Sequence, residues 1–408
     1  MNHRVAVTGM GLVTGLGSNA ESTWDNLIAG RSGVRPVELF DVSACRGQKA
    51  SAVNELSIPD EWLGAKRTRH LDRSSRMLLQ AAGEALAQSR LDTRDSPLRA
   101  MLVLGTTGGG MRSGELFHRQ LLHGKQGATQ ARRLINYVPE QQALDLQEAF
   151  RIDGPILTTA NACATGTNAI GYAFHLIRAG QWDMVICGGY DALCELIFTG
   201  FDSLQAMSPG LCRPFDLKRD GLVLGEGAGV FVLETLERAR QRGVKILGEV
   251  AGYGQSIDTH HLTQPHPQGD GALLAMQRAI AAAGISAEDI DHINAHGTAT
   301  PQNDAMEAKA IHRCFGARAA TIPLTSVKAA IGHLLGGAGA AEAGISLLSL
   351  YHQRVPPTLN YETPDPACEV AIHRGEAKEH SMHTVLSNSF GFGGANAAVV
   401  FKIAGSMQ

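Results

Sequence analysis

Cys163 lies in ILTTANACATGTNAI, residues 156–170, where an apolar run with strand character collapses into small residues and resumes with helical spacing. A thiol at a strand-to-helix turn faces the positive end of the helix dipole and unpaired backbone N–H groups, which favour thiolate over thiol. The position therefore predicts a nucleophile. Ala162, Ala164 and Gly166 leave room for a carbonyl to approach, and the Cys163 amide can face a developing oxyanion. The plainer reading, a small buried cysteine filling a turn, is the commoner fate of a free cysteine. Two histidines weigh against it. His296 in NAHGTATPQND and His333 in SVKAAIGHLLGGAGA each follow a predicted strand and sit among small residues, with Lys328 shortly before His333. Singly, each reads more readily as a hydrogen-bonded structural histidine. A thiol and two imidazoles at corresponding strand ends are harder to dismiss, and together they suit nucleophilic catalysis with proton or hydrogen-bond support. Zinc is the rival chemistry, yet no second cysteine stands at ligand spacing and no HExxH occurs.

The elements that must position these residues alternate along the chain. Apolar β-type runs fall at residues 4–8, 100–104, 156–159, 184–187, 229–233, 248–252, 292–294, 322–327, 384–387 and 397–401. Helical spacing fits between several of them, at 75–87, 167–179, 270–283 and 304–314. This alternation predicts an α/β architecture. The order of features also runs twice. VAVTGMG, VLGTTGG, ILTTANACATG and MVICGGYD are followed by GEVAGYGQS, HINAHGTAT, IPLTSVKAAIGH and TVLSNSFGFGGAN. We therefore expect a duplicated unit with halves at 1–245 and 246–408 and a cleft between them that collects the polar residues at the strand ends. The alanine- and glycine-rich stretch 329–344 reads as one tightly packed buried helix.

Bulk properties narrow the function. The chain has 408 residues, 44% hydrophobic and 18% charged, with a formal net charge of -3. That is ordinary globular composition, without the basic excess that a nucleic-acid or membrane-surface binder needs. No apolar run approaches membrane-spanning length, and the N-terminal apolar stretch is too short and glycine-broken for a signal peptide. Seven cysteines without a CxxC pair suit a reducing cytoplasm. VAVTGMGLVTGLG approaches a dinucleotide fingerprint, but its spacing is GxGxxxG and no acidic strand end follows about 20 residues later.

ANACATG, HGTAT, SVKAAIGH, RPFDLKRDGLVLGEGAG and NSFGFGGAN, in that set and over nearly the whole chain, resemble a β-ketoacyl-acyl-carrier-protein synthase of the decarboxylating Cys-His-His type. The resemblance implies the thiolase fold, duplicated α/β halves in a five-layered α-β-α-β-α arrangement. It implies that Cys163 accepts an acyl chain from the phosphopantetheine of an acyl carrier protein. His296 and His333 would then hold the malonyl thioester carbonyl while CO2 leaves, and the enolate would attack the acyl group, its tetrahedral oxygen held by the amides of Cys163 and Phe392. Lys328 and Glu307 match family residues beside the histidines, where they orient them or tune their charge; the alternative for both is a structural ion pair. Thr263, Thr298 and Thr300 resemble residues lining the pantetheine tunnel. Glycines around Phe392 would let an aromatic gate swing, with Phe390 packing behind it. No bound cofactor or metal is called for.

Selectivity and docking follow from the same resemblance. Gly114 aligns where the family often places a bulkier residue at the far end of the acyl pocket. KRTRHLDRSSR supplies Lys66, Arg67, Arg69 and Arg73, a basic stripe at helical spacing for an acidic carrier protein. Two departures from the family stand out: a short SPGLCRPFD loop, and Gln302-Asn303 where glycine is usual at 303. A homodimer, or a heterodimer with a chain-length factor, is expected. A non-catalytic chain-length factor would lack the nucleophile that Cys163 provides, and a thiolase would carry a second cysteine near GFGGAN.

Overall fold

The structure, a computed structural model, describes residues 2–93, 96–124 and 127–405. Each expected β-type run forms a strand of one sheet. β1 (Val5–Val13), β2 (Met101–Gly105), β3 (Ile156–Thr159), β4 (Met184–Asp191) and β5 (Gly227–Thr235) come first in the chain. β6 (Gly248–Ile257), β7 (His292–Asn294), β8 (Leu324–Thr325), β9 (Thr384–Phe390) and β10 (Ala395–Lys402) follow. The sheet runs β8-β7-β9-β10-β6-β1-β5-β4-β2-β3. Within each set of five the order is therefore identical, and so are the senses: the third, second and fourth strands are parallel, the fifth and first antiparallel. The sets join where β1 and β6 pair antiparallel, Val5 opposite Val250.

The helices complete the layers. Those that bear on the site are α1 (Arg73–Gln88), α2 (Met111–Leu122), α3 (Ala128–Tyr137), α4 (Thr165–Arg178), α5 (Glu195–Ser203), α6 (Asp270–Ala283), α7 (Pro301–Phe315) and α8 (Ala338–His352). α4 and α8 lie in the middle and touch strands of both sets, while α1 covers β1 and β5 and α6 covers β6 and β10. This is the thiolase fold in its five layers. α8, AGAAEAGISLLSLYH, is small or apolar almost all round, as a helix enclosed on every side must be. Close approach of α4 and α8 depends on lost side chains: a Cβ on Gly166 would stand 2.5 Å from the Ala340 nitrogen. That contact brings together the helices on which Cys163 and His333 depend.

One expectation needs revision. Residues 329–344 do not form one helix. A single turn, Lys328–Ile331, stops at Gly332 (φ 74°), and a 3-10 turn at Leu335–Gly337 precedes α8. The backbone between them pairs with a neighbouring segment instead, His333 N–H donating to Val223 O at 2.8 Å and Gly225 N–H to His333 O at 2.9 Å. The glycines of VAVTGMG form no phosphate loop, in line with their GxGxxxG spacing. They lie within β1, where a Cβ on Gly9 would stand 2.0 Å from the Ala85 carbonyl oxygen, so they admit α1 against the sheet.

Candidate active site

The turn after β3 is held in an unusual backbone shape. Ala162 has φ 50°, left-handed and costly for a residue with a Cβ. Asn161 N–H donates to Thr165 Oγ1 at 2.7 Å, and Thr107 Oγ1 donates to Ala162 O at 3.3 Å. Cys163 emerges from this turn 6% exposed, with the Phe392 amide close enough to favour its thiolate form. The resting thiolate expected from the helix terminus is not what the surroundings favour. Burial pushes the thiol up to about 11, outweighing the pull of Lys328 and of the Phe392 N–H. Because only thiolate reacts, few molecules are primed at pH 7. Alkylation of Cys163 by iodoacetamide, followed on its own peptide, should rise about tenfold per pH unit from 7 to 10. A plateau near pH 8.5 would contradict this account.

His296 and His333 reach the same cavity from the second half, one after β7 and one after the Lys328 turn. Their rings lie edge to face with centroids 5.5 Å apart, both almost wholly buried. Burial, with Lys328 beside them, drives both far below the usual imidazole range, so both are neutral. The hydrogen bonds select the tautomer. Lys328 Nζ lies 3.3 Å from His296 Nδ1, and Leu335 N–H donates to His333 Nδ1 at 3.2 Å. Each Nδ1 is therefore an acceptor, leaving Nε2–H as the donor.

Lys328 and Glu307 do not pair with each other. Glu307 receives the amides of His296 and Gly297, both at 2.8 Å, and anchors the backbone of the first histidine. Lys328 donates to His296 O at 2.5 Å and forms a buried ion pair with Glu342 of α8. Sequence reasoning missed Glu342, although it is the only acidic or basic residue, histidine aside, in a helix buried up to its last turn. It also missed Asp191, whose buried carboxylate at the end of β4 accepts Thr106 Oγ1 at 2.6 Å and the amides of Thr107, Gly108 and Gly336. Asp191 thereby ties the loop behind Cys163 to the turn after His333. Lys328→Ala leaves Glu342 buried without its cation and should cost about 3–5 kcal/mol in urea unfolding. Adding Glu342→Gln should recover part of the loss.

The cavity holds about 270 Å3 and is lined by Cys163, His296 and His333 together with Thr263, Thr298 and Thr300. Phe390 and Phe392 line it too. Phe390 packs edge-on against His296 at 5.7 Å, whereas Phe392 stacks on Phe201 at 5.6 Å; the expected packing of one behind the other is replaced by these two contacts. Asn303 lies buried in the first turn of α7, its Nδ2 donating to Asp304 Oδ1 at 3.1 Å, so the Gln302-Asn303 departure is absorbed in the cavity wall.

Other expected residues lie elsewhere. Gly114 does not border the cavity: it is in α2 against α3, and a Cβ there would stand 2.5 Å from the Tyr137 ring. The basic stripe is also not one helical face, because a short turn, Ala65–Thr68, and α1 are separate elements with Asp72 capping the second. Arg73 is spent on buried Glu226 and on Val53 O at 2.6 Å, and Arg67 on Asp145 at 2.7 Å and on Glu148. Lys66 and Arg69 remain exposed.

Comparison with known proteins agrees with this geometry. Residues 2–239 match the beta-ketoacyl synthase N-terminal domain and residues 247–362 its C-terminal domain. The chain is 38% identical over 408 residues to 3-oxoacyl-[acyl-carrier-protein] synthase 2 of Staphylococcus aureus (strain N315), covering 98% of each. It is also 38% identical over 416 residues to a putative polyketide beta-ketoacyl synthase 1 of Streptomyces halstedii, again covering 98% of each. Among solved structures, the ishigamide ketosynthase/chain length factor superposes with a TM-score of 0.91 at 33% identity, over 99% of this chain and 100% of that one. With a thiol, two neutral imidazoles and this fold in one molecule, the chain belongs to the β-ketoacyl synthase family.

Proposed function

We propose that this protein is a β-ketoacyl-acyl-carrier-protein synthase, joining an acyl group held on Cys163 to malonyl-carrier protein with loss of CO2. The observation that carries the reading is one cavity containing a thiol and two neutral imidazoles, each with Nδ1 occupied as an acceptor. In the first half-reaction the Cys163 sulfur displaces pantetheine from the acyl thioester. Its proton ends on the leaving thiol, so no standing thiolate is needed. In the second, the Nε2–H groups of His296 and His333 hold the malonyl thioester oxygen as it takes up negative charge. Loss of CO2 leaves the enolate on these donors. The enolate carbon attacks acyl-Cys163, and the amides of Cys163 and Phe392 hold the tetrahedral oxygen. Collapse releases β-ketoacyl-carrier protein and the sulfur anion, which regains a proton. Lys328 and Glu307 act through His296, fixing its tautomer and its backbone. Incubation with acyl- and malonyl-carrier proteins should give a product lengthened by two carbons with one CO2 released; absence of both from folded protein would refute the proposal.

The chain divides on this reading into halves at 1–245 and 246–408, the first supplying the nucleophile and the second the histidines and the GFGG loop. Fatty-acid and polyketide relatives match at the same 38% identity, so the class of reaction is proposed and the pathway left open. Phosphopantetheine of the carrier brings both substrates, with no bound cofactor. β3 forms the outer edge of the sheet and is half-exposed along its length, which supports pairing with a second copy or a chain-length factor. Seven free thiols suit the cytoplasm.

Carrier docking falls on the exposed members of the basic region. A groove of about 590 Å3 is lined by Lys66, Arg67, His70 and Arg132, and Arg69 lies beside it. Lys66→Glu with Arg69→Glu should raise KM for carrier-bound substrate about tenfold at low salt and leave kcat within about twofold. Arg73→Ala should instead lower stability, because it strands Glu226 in the interior.

A further inference from the structure

The two aromatic rings that stack at the cavity differ in how firmly they are held. Phe201 belongs to α5, which is fixed at several points. Phe198 is fully buried and packs edge-on against Phe40 at 5.5 Å. The carboxylate of Asp202 accepts the amides of Arg46 and Gly47, both at 3.0 Å, and Glu115 accepts the first amides of the helix. Phe392 has the opposite setting. It stands between Gly391 and the pair Gly393 and Gly394, whose φ values are 78° and 82°. A Cβ on Gly393 would meet nothing within 4 Å. The glycines on either side of Phe392 are tethered through their backbone, Gly391 N–H donating to Ala395 O, Gly393 N–H to Leu262 O and Asp258 N–H to Gly394 O, each at 2.7 Å, so the position of the Phe392 ring between them rests on its side-chain contacts. The Phe392 ring lies nearly parallel to that of Phe201, at 19° and 5.6 Å.

We propose that Phe201 is a positioning residue: its ring is the fixed platform on which Phe392 rests, and this contact aims the Phe392 N–H at the Cys163 sulfur. The inference rests on the reading of Phe392 as a movable group beside the nucleophile and deepens it. A glycine-rich loop samples many conformations, and each one that turns the amide away forfeits its favourable action on the sulfur. Stacking against a ring that cannot follow selects the conformation in which the amide is in place. When a substrate displaces Phe392, the platform is left behind and its exposed face becomes cavity wall, so one contact is exchanged for another.

Hydrogen exchange read by mass spectrometry on residues 391–394 tests this without requiring turnover. Phe201→Leu keeps apolar bulk and loses the stacking face; it should speed exchange there about tenfold, whereas Phe201→Tyr should stay within about twofold of the parent. Phe392→Leu should give the same gain, and the double variant no more than either alone. In parallel, Cys163 loaded with an acyl group and left without malonyl-carrier protein should lose it to water faster in Phe201→Leu. Parental exchange in Phe201→Leu, gains that multiply in the double variant, or faster exchange in α5 itself would each overturn the proposal. Should the parent fail to load an acyl group, the condensing function fails, and the exchange result still decides the role of Phe201.

Discussion

Cys163→Ala gains no mass on incubation with acyl-carrier protein, where the parent gains one acyl group, and its condensation rate falls by at least about 10^4-fold. The size of the effect follows from the position. Six other cysteines are present, but none of them lines the cavity with His296 and His333. Substitution by alanine keeps the left-handed turn at Ala162 and the start of α4 and removes only the sulfur. A loss of this size in a variant with parental stability therefore reports the chemistry rather than the fold. Loading of Cys163→Ala at the parental rate would assign the nucleophile elsewhere and sink the proposal.

His296→Ala and His333→Ala each lower condensation about 10^2- to 10^3-fold while acyl loading of Cys163 changes far less. One preorganised donor to a developing oxyanion, away from water, is worth about 3–4 kcal/mol, and each alanine removes one. Because the two rings meet edge to face and grip one oxygen, the double variant should lose less than the product of the single losses. His333→Gln or His333→Asn, which restores an N–H on a shorter arm, should recover part of the rate. Measuring 14CO2 release from malonyl-carrier protein separately from acyl loading distinguishes the half-reactions. Equal loss in both would mean that the histidines support the fold of the cavity instead.

Much of the molecule was legible in its residues because the sheet is written in local pattern. MVICGGYD and GAGVFVLET are apolar runs of strand length, and both form fully buried strands. Cys163, His296 and His333 were visible because each stands among small residues at a strand end. What the sequence hid depends on partners far away along the chain. Arg73 was expected to meet an acidic carrier protein, and only the fold brings Glu226, 153 positions on, to neutralise it. The thiol of Cys163 was expected to ionise because a helix terminus can be read locally, whereas burial, the larger influence, cannot. Gly114 failed for another reason: a glycine that opens a pocket and one that seats a tyrosine ring look alike until the neighbouring helix is placed.

The repeated strand order has a further meaning for Cys163 and His333. One follows the third strand of the first set, the other the third strand of the second, so they occupy the same slot in two copies of one plan. His296, after the second strand of its set, corresponds to the loop of Thr106 to Gly109 in the other. The spacing of sulfur and imidazoles is thus dictated by the shared framework, by the crossing of α4 with α8 and by the backbone pairing of His333 with Val223 and Gly225. Such an arrangement separates the reaction from the choice of reactant. Elements outside that framework, such as α2 and α3, can change without retuning the chemistry, the kind of modularity from which one catalyst can diversify into many.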